Sequence, residues 1–215
     1  NIPCVAVHNK TDAIIEERAK FLNSTVFYIN DEIKGLYKPS LKGSCQYQNA
    51  QLAELAINVI NNKKISIEHI IAGIETTQWF GRNQIISTKP FVIFDVAHNE
   101  DGIMNFLYYF NSIKHTGKKI LVISLQRRKN INHCIDYIQD SFDVIVSTET
   151  NNPRTMPCHV LSRLLANKCE VYKDADIAIK TIIKDIEQND SLAIIGTHHL
   201  GQHVSNNFNI SFNSV

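Results

Sequence analysis

Several signatures are missing from these 215 residues, and each absence removes a class of function. No G-x-x-x-x-G-K-S/T loop is present and no G-x-G-x-x-G follows an apolar run, so the chain alone has no standard cradle for a triphosphate. The zinc signature H-E-x-x-H and the nucleophile elbow G-x-S-x-G are also absent. Cysteines are few and scattered: Cys4, Cys45, Cys134, Cys158 and Cys169. Their odd number and the lack of any C-x-x-C pair argue against a disulfide scaffold or a thiolate zinc site. Buried reduced thiols are expected, as suits a cytoplasmic location. No apolar stretch approaches the ~18 residues of a membrane span, and no signal peptide is visible. Charge of one sign is lacking too. With 22 Lys+Arg against 21 Asp+Glu the formal net charge is +1, and the densest basic run is Arg127-Arg128-Lys129. A nucleic-acid surface needs many phosphate-facing cations and is not expected. A nucleotide site needs only a few and stays open.

The composition instead describes a globular protein with a core, at 44% apolar and 20% charged residues. Its length suits one large domain, or a domain plus part of another. The chain opens on Asn1 rather than Met, in what reads as an interior strand, Ile2 to Val7. A piece of a longer protein is therefore expected.

The stretch that organises the chain is Phe91-Val92-Ile93-Phe94-Asp95-Val96-Ala97-His98-Asn99. An apolar run ends in an acid and a polar cluster, and Ile103, Phe106, Leu107, Phe110 and Ile113 follow at helical spacing. This reads as a buried strand and its covering helix. Ligands of parallel-sheet proteins bind at the carboxyl ends of such strands, which puts Asp95, His98 and Asn99 where chemistry is expected. A plain strand-to-helix loop with Asn99 as N-cap is the alternative.

Around it the alternation of strands and helices is regular. Before residue 79 the patterns predict strands over Ile2–Val7 and Thr25–Ile29 and helices over 11–21, 47–60 and 67–74, the last capped by Ser66, with breaks at Gly35, Pro39, Gly43 and Asn61-Asn62. After it they predict strands over 91–95, 120–125, 144–146, 170–172 and 192–195. Helices are predicted over 101–113, 131–138, 157–166, 175–186 and 200–206, and an edge strand over 210–212. Five strands with helical connections predict a three-layer α/β domain with a mainly parallel sheet. The break at Glu75–Gln84 places a domain boundary near residue 79. Within it, Gly81 allows a turn and Arg82 can fork onto an anion, or can be a solvated surface arginine. Gly196-Thr197 can offer donors to an anion, or cap a helix. His199 and His203 stand at i, i+4, which suits either a zinc face lacking its third ligand or ordinary rim histidines.

Five marks occur in order: Leu41-x-Gly43-x-x-Gln46-x-x-Asn49-Ala50, Gly81-Arg82-x-Gln84, Asp95-Val96-Ala97-His98-Asn99 with Gly102, Pro153-Arg154, and Gly196-Thr197. The set resembles the carboxyl-terminal half of folylpolyglutamate synthase, in many bacteria also dihydrofolate synthase, of the Mur ligase superfamily. The resemblance implies the end of a P-loop ATPase domain over 1–78 and a Rossmann-like carboxyl-terminal domain over 79–215. It implies an ATP- and Mg2+-dependent ligase that joins L-glutamate to folate or dihydropteroate through an acyl phosphate and works as a monomer. The phosphate loop and metal ligands would precede this region, so this chain alone is expected to be inactive. Gln46 and Asn49 would face the nucleotide base and Arg82 would reach its phosphates. Asp95 would hold the ribose or orient polar groups, and His98 would lie near the phosphates. Thr197 would contribute to substrate binding. Val96 and Glu100 depart from the Gly and Pro of many members, and Gln126-Arg127-Arg128-Lys129 stands where an Asp-Lys-Asp type cluster is frequent. A Mur-type ligase of a cell-wall precursor, a non-enzymatic α/β domain binding an anion or a protein, and a receiver-like phosphate-transfer domain are the competing readings.

Overall fold

Apolar runs of four or five residues recur through the second half of the chain, and each has become a strand. The structure is a computed structural model and describes residues 2–29, 37–61, 63–165 and 169–212. The chain divides into two compact units, Asn1–Gln78 and Trp79–Val215.

The first unit begins with β1 (Cys4–Ala6), α1 (Asp12–Phe21) and β2 (Val26–Tyr28). The strands pair in parallel, Cys4 opposite Val26 and Ala6 opposite Tyr28, and the helix supplies the crossover that parallel neighbours need. α2 (Cys45–Ile60) ends where Asn61 turns left-handed, at φ 51°, and returns its N–H to the Ile57 carbonyl at 3.1 Å. Asparagine is one of the few residues that tolerate that conformation. α3 (Ile67–Thr76) starts at Ser66, whose N–H donates to His69 Nδ1 at 3.1 Å. Ala19, Ala50 and Ile70 are buried, but Phe21 and Ile60 stand 77% and 68% exposed, so the helices leave apolar surface uncovered. Gly35 and Asn62 lie outside the described residues.

The second unit comprises β3 (Gln84–Thr88), β4 (Phe91–Asp95), α4 (Glu100–Ser112), β5 (Lys119–Ile123), α5 (Ile135–Ser141), β6 (Val144–Thr148), α6 (Cys158–Leu164), β7 (Cys169–Tyr172), α7 (Ala175–Asp185), β8 (Ser191–Ile195) and α8 (Leu200–Phe208). Among the described residues these strands form one sheet of order β3-β4-β8-β5-β6-β7, parallel except for β3 against β4. The period of two sorts each central strand between two cores. Ile93, Leu121, Ile123, Ala193 and Ile195 face α4, α5 and α6, with Phe106, Phe110, Ile138 and Leu161. Val92, Phe94, Val122, Leu192 and Ile194 face α7 and α8, with Ile179, Leu200 and Val204. Both faces are dry, which is why these strands read as unbroken apolar runs. The α/β three-layer, mainly parallel fold is as the sequence predicts.

Three local expectations are corrected. The sheet has a sixth strand, β3, hidden because a bulge between Ile85 and Ser87 breaks the period of two. Residues 210–212 form no strand. Instead Ile210 N–H donates to the Ser205 carbonyl at 3.2 Å, and Phe212 packs on Phe80 and Phe94, with ring centroids 5.2 and 6.0 Å away. The helix expected from residue 131 begins as a 3-10 turn, Asn132–Cys134. The predicted end of the 157–166 helix, Ala166, lies outside the described residues. All five cysteines are free, but only Cys134 and Cys158 are buried and Cys4 is exposed. No described helix is long and apolar enough to cross a membrane.

The parallel rungs Asp95–Ile195 and Ile195–Ile123 align the carboxyl ends of β4, β8 and β5. At that edge Gly196 has φ +120°, and a Cβ there would collide with the Ser124 carbonyl oxygen. Backbone yields little to such a clash. Gly196→Ala is expected to cost about 3 kcal/mol, a fall in Tm of roughly 6–12 °C. A thermal melt unchanged from wild type would show that the β5 and β8 ends are not locked as described.

Candidate functional site

Asp95 ends β4 at 5% exposure, and both of its carboxylate oxygens are used by backbone. Oδ2 accepts from the Asn83 N–H at 2.6 Å and Oδ1 from the Ala97 N–H at 2.7 Å. Each donor is the neighbour of a predicted site residue: Arg82 precedes Asn83, and His98 follows Ala97. One buried acid thereby pins two loops together. Burial pushes the Asp95 carboxyl above its ordinary range; the two N–H donors and the charges of Arg82 and His98 act against that rise.

The first loop is a turn that few sequences can make. Gly81 (φ +69°) and Asn83 (φ +42°) are both left-handed. A Cβ on Gly81 would also lie 2.6 Å from Val96 Cγ1. Gly81 N–H donates to Gln84 Oε1 at 2.9 Å, and the Gly81 carbonyl accepts from Val96 N–H at 2.9 Å. Arg82, between the two, is exposed. In the second loop His98 Nδ1 lies 2.9 Å from the Val96 carbonyl, which can only accept, so Nδ1 carries the proton. Nε2 is the ring atom His98 can offer a ligand. Asn99 Oδ1 accepts from Gly102 N–H at 3.0 Å and caps α4, so that side chain serves the helix.

A second constellation lies along the same edge. The segments after β5 and β6 are zipped by Met156 N–H to the Leu125 carbonyl at 2.7 Å, Arg127 N–H to the Arg154 carbonyl at 2.9 Å, and Arg127 Nε to the Thr155 carbonyl at 3.1 Å. They enclose a cavity of about 430 Å³ lined by Gln126, Arg127, Arg128, Pro153 and Arg154. Three guanidinium groups without a carboxylate in that lining suit a small anion, above all a carboxylate gripped by two N–H groups. Pro153-Arg154 was legible only as a motif, and the basic run after β5 only as a departure from one. Neither the spacing nor the composition signals that they share a cavity.

Thr197 is buried, and its Oγ1 accepts from the His199 N–H at 3.3 Å, as a helix cap does. His199 and His203 do not face a common ligand. His199 Nε2 meets Asn152 Nδ2 at 2.9 Å, whereas His203 Nδ1 meets Asp176 of α7 at 2.9 Å. Among the described residues no group of three or more His, Cys, Asp or Glu is placed to hold a metal ion, so the Mg2+ implied by the resemblance finds no ligand set there.

In the first unit Gln46 and Asn49 share one turn of α2, with Asn49 Nδ2 donating to Gln46 Oε1 at 3.0 Å. They line a cavity of about 150 Å³ with Leu41, Ala50, Ala53, Ile74 and others. Alanines on the helix leave a flat apolar floor, and the two amides supply paired donors and acceptors at its rim. That combination fits a planar heterocycle such as a nucleotide base. The structure thus brings Arg82, Asp95 and His98 together, and separately Gln46 and Asn49.

Several known proteins are similar to this chain. A dihydrofolate synthase/folylpolyglutamate synthase of Buchnera aphidicola from Acyrthosiphon pisum is 28% identical over 135 residues, 62% of this chain and 33% of the relative. The Escherichia coli enzyme of the same description is 26% identical over 156 residues, 73% of this chain and 36% of the relative. A UDP-N-acetylmuramoyl-L-alanyl-D-glutamate–2,6-diaminopimelate ligase of Buchnera aphidicola from Baizongia pistaciae is 23% identical over 181 residues, 80% of this chain and 36% of the relative. The chain therefore spans about a third of the length of these curated relatives. Among solved structures, Mycobacterium tuberculosis folylpolyglutamate synthase complexed with ADP and AMPPCP superposes with a TM-score of 0.82 at 17% identity, covering 96% of this chain and 55% of that one. A bifunctional folylpolyglutamate synthase/dihydrofolate synthase with Mn, AMPPNP and L-glutamate bound gives 0.81 at 20% identity, covering 97% and 53%. The family described as Mur ligase, glutamate ligase domain matches residues 81–198. That match takes in more than half of the 215 residues, and the chain belongs to the Mur ligase family.

Proposed function

We propose that this chain is the carboxyl-terminal part of an ATP-dependent amide ligase that adds L-glutamate to folate or dihydropteroate. Residues 1–78 would close the P-loop ATPase domain, and 79–215 form the glutamate ligase domain. The observation that carries this reading is the Asp95 carboxylate, which holds Arg82 and His98 on two loops at the carboxyl edge of a parallel sheet. Sequence relatives of this description and the ligands of the superposed structures support it.

A carboxylate is a poor electrophile until one of its oxygens becomes a good leaving group. The γ-phosphoryl of ATP passes to the substrate carboxylate, giving ADP and an acyl phosphate. The amine of glutamate attacks the acyl carbon, phosphate leaves, and the amine loses a proton. Charge accumulates on the phosphoryl oxygens and then on the tetrahedral adduct, so fixed cations are the main requirement. Arg82 presents its guanidinium to the phosphates, and His98 offers Nε2 beside them. Asp95 positions both through backbone. Gln46 and Asn49 recognise the base. Arg154, with Arg127 and Arg128, receives the glutamate carboxylates, and Thr197 keeps its O–H to donate at the β8 end. Mg2+ would screen the phosphates from ligands outside the described residues.

A Mur-type ligase of a peptidoglycan precursor is the second reading, favoured by the similarity to the diaminopimelate ligase. The arginine cavity would then take 2,6-diaminopimelate instead of glutamate, and competition between the two amino acids separates the readings.

In the complete natural gene product, assayed for glutamate- and folate-dependent ATP hydrolysis, Arg82→Ala should lower kcat by about 100-fold or more. Retention of wild-type kcat would remove Arg82 from the phosphoryl-transfer step. Arg154→Ala should raise the KM for glutamate about 10- to 100-fold and leave the KM for ATP unchanged. Equal effects on both constants would contradict a separate amino-acid cavity. Asp95→Asn replaces one acceptor oxygen with a donor facing a backbone N–H. It should cost about 2 kcal/mol of stability and lower kcat together; full activity in a destabilised protein would show that Asp95 does not position Arg82 and His98.

A further inference from the structure

One polar contact ties the β8 end to the arginine cavity and has no part in the scheme above. His199, at the start of α8, lies 2.9 Å through Nε2 from Nδ2 of Asn152 in the segment after β6. Asn152 is also the keystone of the turn that carries Arg154. Its Oδ1 accepts from the Arg154 N–H at 2.8 Å, and its carbonyl accepts from the Thr155 N–H at 2.9 Å. Because Oδ1 must accept from Arg154, the amide orientation is settled by the network and Nδ2 faces the imidazole. An amide NH2 can only donate, so His199 Nε2 must accept, and the ring is neutral with its proton on Nδ1.

We propose that His199 is a positioning residue for the arginine cavity: by accepting from Asn152 while neutral, it holds the Asn152–Thr155 turn so that Arg154 can grip the carboxylates of an amino-acid substrate. The inference rests on the reading of that cavity as the glutamate site. Protonation of His199 places an N–H against the Asn152 NH2. The amide then loses its partner, or rotates to present Oδ1 and abandons the Arg154 N–H. Either way the turn loses a bond that defines it.

Burial and the neighbouring charge of His198 lower the His199 pKa below its ordinary 6.5. The rings of His198 and His199 lie 4.1 Å apart between centroids. Asn152, which faces His199 from the segment after β6, is uncharged, and the charge that acts on the ring is that of His198. The sign follows from the depression. The neutral, ordered arrangement is complete above pH 6.5 and is lost as pH falls through the lower folded value.

The test follows the 15N resonances of His199 and the Arg154 backbone amide in this chain between pH 4.5 and 8, and L-glutamate binding by calorimetry over the same range. In the wild type the Arg154 amide should shift with the midpoint of His199, and glutamate affinity should fall about tenfold through it, the cost of one hydrogen bond. His199→Gln supplies a non-titrating acceptor through Oε1. It should keep affinity within about threefold at pH 7 and lose the midpoint at Arg154. The pH dependence contributed by glutamate itself is subtracted. His199→Phe should lose about tenfold at pH 7. An Arg154 amide that ignores the His199 midpoint, or a His199→Gln variant that keeps the wild-type pH dependence, overturns the proposal. A coupled midpoint without glutamate binding leaves the positioning role standing and removes the glutamate reading.

Discussion

A carboxylate in a nearly dry site has to be compensated by fixed donors, and the arrangement around Asp95 meets that requirement with backbone alone. Two N–H groups from different loops converge on its two oxygens. Bonds to a charged acceptor are stronger than neutral ones, and stronger still where water is excluded. The burial that raises the Asp95 pKa is thus also what makes its hydrogen bonds rigid. Glutamate would overreach the two amides, and asparagine would turn a donor on one of them. The rest of the edge depends on this group because it fixes the backbone on which Arg82 and His98 stand. Each is held through the residue beside it.

The surrounding sequence looks arbitrary until backbone geometry is considered. Gly81 and Asn83, just before β3, and Gly196, just after β8, all sit at positive φ. These are the positions where chain has to reverse or approach other chain without a Cβ. Behind them the two cores differ little in chemistry, one under α4, α5 and α6 and the other under α7 and α8. Their function is to make the strands immovable, so that loop geometry is set by rigid ends rather than by the loops' own weak preferences.

Most of the second unit could be read from periodicity, since a strand buried on both faces and a helix with an apolar stripe leave distinct patterns. β4 and α4 were visible because Phe91–Asp95 and Ile103–Phe110 follow those periods without interruption. β3 was not, because its bulge removes the period that identifies a strand. The segment 210–212 has a strand-like composition, yet it caps aromatic rings instead, a tertiary preference no local pattern carries. Arg82, Asp95 and His98 stood out through motif and position. The Asn152–His199 contact spans 47 residues and joins two loops of unremarkable composition, so nothing local announces it. The arginines after β5 looked like a departure from a familiar cluster until the fold placed them against Arg154.

The order of the strands gives the proposed chemistry a spatial frame. The Arg82 turn enters β3 and is tied to the end of β4, the His98 loop leaves β4, β6 leads to the Arg154 turn, and β8 and β5 lie between β4 and β6. Three strand spacings of about 4.8 Å separate β4 from β6, or roughly 14 Å. Two anions held at opposite ends of that distance repel each other little in water. Between the two ends lie Ser124, Gly196 and Thr197, just past β5 and β8. Gly196 keeps that stretch low, since any side chain there would strike the Ser124 carbonyl. On the proposed reading, this separation of Arg82 from Arg154 also keeps glutamate from occupying the phosphate position. In a ligase whose two substrates are both carboxylates, that separation is a condition for activating the right one.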